Sequence, residues 1–139
     1  MCLQKCVVQM WNNQVNNNIL LIIIGLLIAK HFIVDFLLQT PYMYENKHIF
    51  GHPGGILHAW SHGLASYLIL GYIFGSVNPV VLMLVLVETI IHYFIDYCKM
   101  NIGMLYNWQP NNSPYFWYLL GFDQFLHYMT YLLMLTFFI

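Results

Sequence analysis

The chain has 139 residues, of which 60% are hydrophobic, 18% aromatic and only 6% charged. About a quarter of the residues in a soluble domain are charged, so this composition excludes an ordinary soluble protein and makes the bilayer the natural solvent. A formal net charge of −1, from four lysines, no arginine and five acidic residues, excludes a nucleic-acid partner, which needs a clustered basic surface.

Residues 1–18 are polar and Asn-rich, with Leu3, Val7 and Trp11 at helical spacing, the pattern of a short helix lying in the membrane interface. Cys2 and Cys6 lie within it. Two thiols without further nearby ligands seldom hold an ion, and with Cys98, a small apolar filler, they make no disulfide framework. The apolar run from Ile19 has no small-residue cleavage site after it and continues through Leu38, so it predicts a spanning helix over 19–39, about 20 residues being the length required. Thr40 to Gly55 is turn chemistry, with Pro41 and the run Gly51-His52-Pro53-Gly54-Gly55, and His48 and His52 read as loop residues. A second helix is expected over 56–74. In the turn Gly75-Ser76-Val77-Asn78-Pro79, Asn78 caps and Pro79 opens a third helix over 80–98. The loop 99–114 ends in Ser113-Pro114, the same device, ahead of a fourth helix over 115–139. The expected fold is an all-α membrane protein, a four-transmembrane-helix bundle over 19–139, multi-pass in the cell's inner membrane.

Each of the four apolar segments carries one polar pair at i and i+4: His31 and Asp35, His58 and His62, His92 and Asp96, Asp123 and His127. That spacing puts both members on one face of a helix. In an up-and-down bundle the first and third pairs fall near helix ends and the second and fourth near helix starts, so all eight residues converge on one leaflet, beside the two long loops. His31 and Asp35 answer to His92 and Asp96, and His58 and His62 to Asp123 and His127. Two similar hairpins in one orientation imply a pseudo-twofold axis along the membrane normal.

A carboxylate at the middle of a spanning helix costs about 2.5–3.5 kcal/mol on insertion scales, so such residues are there for a purpose. One reading is a hydrogen-bonded network that only fixes assembly. The other is a metal centre, because imidazole and carboxylate together suit one or two divalent ions, with zinc first and manganese or iron as alternatives. His31, Asp35, His58, His62, His92, Asp96, Asp123 and His127 are the candidate ligands or their immediate partners. Glu88, one turn deeper than His92, is a candidate base, and Lys99, near the loop side, is a candidate contact for an anionic headgroup. Gln39 extends the first polar stripe toward the loop. Lys30 lies about 100° around the helix from His31 and is expected to face away from the stripe and snorkel.

The ordered set His31-xxx-Asp35-Phe36-x-Leu38-Gln39, Asn46-Lys47, His58-xxx-His62, His92-xxx-Asp96-xx-Lys99 and Asp123-Gln124-xx-His127 resembles the DUF3307 family of small bacterial and phage membrane proteins, over about residues 19–139. That resemblance implies the fold and the site but no reaction. A similar style of His-and-Asp motif occurs in membrane-bound metal-dependent hydrolases. The expected function is therefore metal-dependent hydrolysis of a lipid or another membrane-delivered phosphoester or acyl ester. Its rivals are a metal-ion or proton transporter, a bis-His haem protein and a non-enzymatic phage-type interaction protein. Membrane lipids are the expected partners, and a narrow apolar bundle of this size is suited to form a homo-oligomer. Lys47 and Lys99 favour placing the long loops, and so the site, on the cytoplasmic side, while Lys5 argues the other way.

Overall fold

Four of the five prolines stand at the first position of a helix, where a fixed φ is pre-set for the helix and the missing N–H leaves no bond unmade. The computed structural model describes residues 18–138, and over them every regular element is helical. Helix α1 covers residues 18–32 and passes directly into a π-helical segment, Ile33–Leu38. Helix α2 is Pro41–Glu45, α3 Pro53–Phe74, α4 Pro79–Leu105 and α5 Pro114–Leu135, and a 3₁₀ turn, Thr136–Phe138, follows. The expected N-terminal interfacial helix and Cys2 and Cys6 lie outside the described residues.

Side chains satisfy the exposed first-turn amides. Asn78 accepts from the Val80 amide at 2.9 Å and Ser113 from that of Tyr115 at 3.3 Å, as the two cap-plus-proline sequences predict. His52 does the same for α3, its Nδ1 accepting from the Gly54 amide at 3.1 Å. This loop histidine therefore has a structural task.

The helix boundaries depart from expectation in ways that tighten the loops. Helix α4 runs to Leu105, seven residues past the expected end at Cys98, because nothing between Lys99 and Leu105 stops it. Asn101 anchors the added turns, its amide donating to the His48 carbonyl at 3.1 Å and the Tyr97 carbonyl at 2.8 Å. Helix α3 begins at Pro53, so Gly54 and Gly55 belong to its first turn rather than to a loop. Glycine is needed there because α2 crosses so closely: a Cβ on Gly54 would stand 2.6 Å from the Tyr42 carbonyl oxygen. Gly54→Ala should therefore destabilise the protein by about 1–3 kcal/mol, as overpacking does, read as a lowered unfolding temperature in detergent.

Helix α3 packs along α4, α4 along α5, and α2 against α3. The interior divides into two zones. At one end Ile23, Leu27, Leu70, Val81, Leu84, Tyr131, Met134 and Leu135 form a buried cluster that is apolar apart from the Tyr131 hydroxyl. At the other end, beside the two longer connections, the interior is polar. The outward faces of the long helices are apolar, with Leu21, Leu37, Leu68, Leu86 and Leu133 all exposed, while exposed polar residues such as Glu45, Asn107 and Asn111 lie in or beside the connections. Two stretches, Asn18–Leu37 and Pro79–Leu105, are long and apolar enough to cross a membrane. Helices α3 and α5 are 22 residues each but dilute their aliphatic content with Gly, His, Tyr and Trp.

Candidate metal centre

Among the described residues, every charged side chain except Glu45 belongs to one buried centre at the polar end of the bundle. All eight candidate ligands are in it. They fall into three overlapping groups: Asp35 with His58, His62 and His92; His31 with His92 and His127; and Asp96 with Asp123 and His127.

The first group has the most regular geometry. Asp35 Oδ1 lies 3.0 Å from His58 Nε2 and 3.2 Å from His62 Nε2, and His58 Nε2 lies 3.2 Å from His92 Nε2. Zinc–ligand bonds of about 2.0–2.1 Å at tetrahedral angles put ligand atoms roughly 3.3 Å apart. The three histidine rings pack on one another, His62 and His92 stacked with centroids 3.8 Å apart. The Nδ1 atoms of His58 and His92 have no partner among the described residues, so packing rather than a second hydrogen bond orients those rings.

Each residue of the third group has a buried polar atom without a hydrogen bond among the described residues. His127 Nε2 and Asp123 Oδ1, 3.6 Å apart, are buried without a hydrogen-bond partner among the described residues. Asp96 Oδ2 beside them has ionic contacts, chiefly with Lys47 Nζ at 2.8 Å, but no hydrogen bond of good geometry. Buried polar atoms are almost always satisfied. An unpartnered ring nitrogen converging with carboxylates is a ligand set that a cation would complete, so the residues present fit a divalent ion.

His31 differs from the other four histidines. Its Nδ1 faces the Tyr131 hydroxyl at 3.0 Å, and its Nε2 faces Gln124 Oε1 at 3.0 Å and Asp35 Oδ2 at 3.1 Å. With both ring nitrogens engaged, it orients Asp35 by holding the oxygen that points away from His58 and His62. Asp35 itself sits in the π-helical segment, a distortion that recurs at functional sites.

Two expectations about lysines are corrected. Lys30 does not snorkel: it is 6% exposed, and its Nζ pairs with Glu88 Oε1 at 2.5 Å and donates to the His62 carbonyl at 3.2 Å. The inward arc of α1 is wide because three helices pack around it, so His31 meets α5 while Lys30, a step around the wheel, meets α3 and α4. Lys47 is 5% exposed and pairs with Asp96, and Lys99 Nζ lies 3.6 Å from Asp123 Oδ2. Neither is a free loop cation of the kind that sets membrane orientation, so the ground for a cytoplasmic site is removed. Glu88 lies a layer below the histidines, held by Lys30.

A cavity of about 550 Å³ opens over the centre on the loop side. Asp35, Gln39, Lys47, Lys99 and Gln124 form its polar wall. Of the eight candidate ligands Asp35 alone lines it. Gln124 bridges the site, its Nε2 donating to Asp123 Oδ2 at 3.1 Å and Asp35 Oδ2 at 3.4 Å. Sequence reasoning assigned no role to Gln124 or Tyr131, and to Lys47 only one in membrane orientation. The first two were detectable, since Gln124, His127 and Tyr131 share one face of α5 by their spacing.

Residues 11–139 match DUF3307, a family described as a protein of unknown function. The chain belongs to the DUF3307 family. The match begins at residue 11 rather than 19, so in this DUF3307 chain part of the polar N-terminal segment belongs to the family unit. No curated protein and no solved structure matches the chain.

Proposed function

We propose that the chain is a four-span inner-membrane protein whose polar centre holds one or two divalent ions, zinc foremost, and hydrolyses a phosphoester or acyl ester delivered from the bilayer. The observation that carries this reading is the convergence of Asp35, His58, His62 and His92 within 4.8 Å of one another, with three of the separations at 3.0–3.2 Å, close to those a tetrahedral ion imposes. The apolar exterior of all four long helices supports four spans. Near-equal contacts in answering positions, His31 to Asp35 at 3.1 Å and His92 to Asp96 at 3.2 Å, support two related hairpins.

A bound ion would supply Lewis acidity and a water acidified toward neutrality. The chain's own residues do the rest. Asp35, at the cavity floor, is the carboxylate that both faces the ions and reaches substrate, and is better situated than the Lys30-bound Glu88 to take a proton. Gln124 fixes the Asp35 and Asp123 carboxylates, and Lys99 meets negative charge on the ester. Transport would require a polar route past the Lys30–Glu88 pair, where Ile23, Leu27, Leu70, Val81 and Leu84 instead fill the core.

Elemental mass spectrometry of detergent-purified protein should find one or two equivalents of zinc, manganese or iron. Hydrolysis of fluorogenic phosphoester or acyl-ester amphiphiles should vanish on chelation and return with the ion. Failure to take up any of these ions when supplied would sink the reading.

A further inference from the structure

The cavity over Asp35 is lined by both charged and apolar side chains, and the charge of the centre beneath it decides what fills it. Lys47, from the α2–α3 connection, and Lys99, from α4, both line the polar wall. Each ammonium has three donors, and each makes one carboxylate contact, to Asp96 and Asp123 respectively. Phe36, Met100, Met104, Phe116, Leu119 and Leu120 form the other wall. A largely apolar groove of about 340 Å³ between α4 and α5 shares Lys99 and Leu119 with this cavity.

With neutral histidines, Asp35, Asp96 and Asp123 against Lys47 and Lys99 leave the centre one negative charge, since Lys30 and Glu88 cancel. One divalent ion reverses that to one positive charge, and a second ion makes it three. Net charge taken out of water is costly unless it is compensated. The metal-loaded centre therefore calls for an anion, which a neutral acyl ester does not supply and a phosphate ester does, a monoester best since its roughly two negative charges lie between the one and three positive charges of the loaded centre.

Resting on the metal reading above, we infer that the cavity is the binding site for a phosphomonoester amphiphile. Its phosphate lies between Lys47 and Lys99 over Asp35, and its chain lies along the apolar wall toward the α4–α5 groove. The cavity volume suits such a ligand, pockets for small molecules running from about 300 to 1,000 Å³. Binding is coupled to the ions: the phosphate is held only when the centre carries excess positive charge.

The test is calorimetric titration of dodecyl phosphate into the full chain in a neutral maltoside detergent, with metal content measured on the same sample. Inorganic phosphate and dodecanol are the comparison ligands. Dodecyl phosphate should bind saturably and at least about tenfold more tightly than either, and chelation should abolish the binding. Lys99→Gln should weaken it by roughly tenfold to a hundredfold at unchanged metal content, the loss expected for a charged hydrogen bond, with Lys99→Arg restoring most of it. A metal-loaded protein that binds dodecyl phosphate no better than dodecanol, or a Lys99→Gln variant of unchanged affinity, overturns this inference alone. Equal affinity for inorganic phosphate overturns the role of the apolar wall. A sample that takes up no metal overturns the metal reading and, with the excess charge gone, this inference as well.

Discussion

Replacing His92 by alanine is expected to strip the protein of its metal, while replacing His31 leaves the metal bound. His92 belongs to two of the three ligand groups, facing His58 Nε2 in one and His127 in the other, and its ring stacks on His62. Its removal takes a ligand from the most regular site and the packing support from a second ligand. His31 is equally buried and looks equivalent in the sequence, but its two nitrogens already serve Tyr131, Gln124 and Asp35. Loss of such an orienting partner typically costs about 10–100-fold in metal affinity or activity without emptying the site. Elemental analysis of the two variants beside wild type, followed by chelator competition, separates these outcomes. A His92→Ala protein that kept its full complement would refute the assignment.

The second large effect is expected from Lys30→Met. The ammonium it removes is the sole ionic partner of Glu88 among the described residues; Glu88 is 1% exposed, and the ammonium also supports the His62 carbonyl and lies over the Tyr131 ring at 4.8 Å. Breaking one side of a buried pair leaves an uncompensated charge and costs about 3–5 kcal/mol, whereas replacing both partners with apolar residues of similar volume is often close to neutral. Lys30→Met should therefore lower the unfolding midpoint sharply in detergent. Lys30→Met combined with Glu88→Leu should recover most of that loss. If the single variant unfolds at the wild-type midpoint, Lys30 and Glu88 are not paired in the membrane protein.

The contrast between these residues also explains what the sequence could and could not reveal. Histidine and aspartate one turn apart inside apolar helices are costly enough to stand out individually, and the alternation of helix direction was sufficient to bring His31, Asp35, His58, His62, His92, Asp96, Asp123 and His127 to one level. The partners that make the centre electrically tolerable were harder to read. Lys30 was misread because a helix wheel drawn for one neighbour leaves it outside, and α1 has neighbours on three sides. Lys47 lies in a connection, 49 positions from Asp96, with no periodicity linking them. The end of α4 was placed too early, at Cys98, whereas the helix continues to Leu105 and Asn101, bound to the His48 carbonyl, holds it on course.

The wiring of the first helix has a consequence for how the protein is made. Lys30, His31 and Asp35 are synthesised first, yet their partners come later: His58 and His62 on α3, Glu88 on α4, then Gln124 and Tyr131 on α5. No intermediate lacking the last helix can satisfy the first, since Gln124 lies 93 positions and Tyr131 100 positions downstream of His31. Arrival of α5 thus closes the assembly, and a chain interrupted before it leaves the polar groups of α1 unsatisfied.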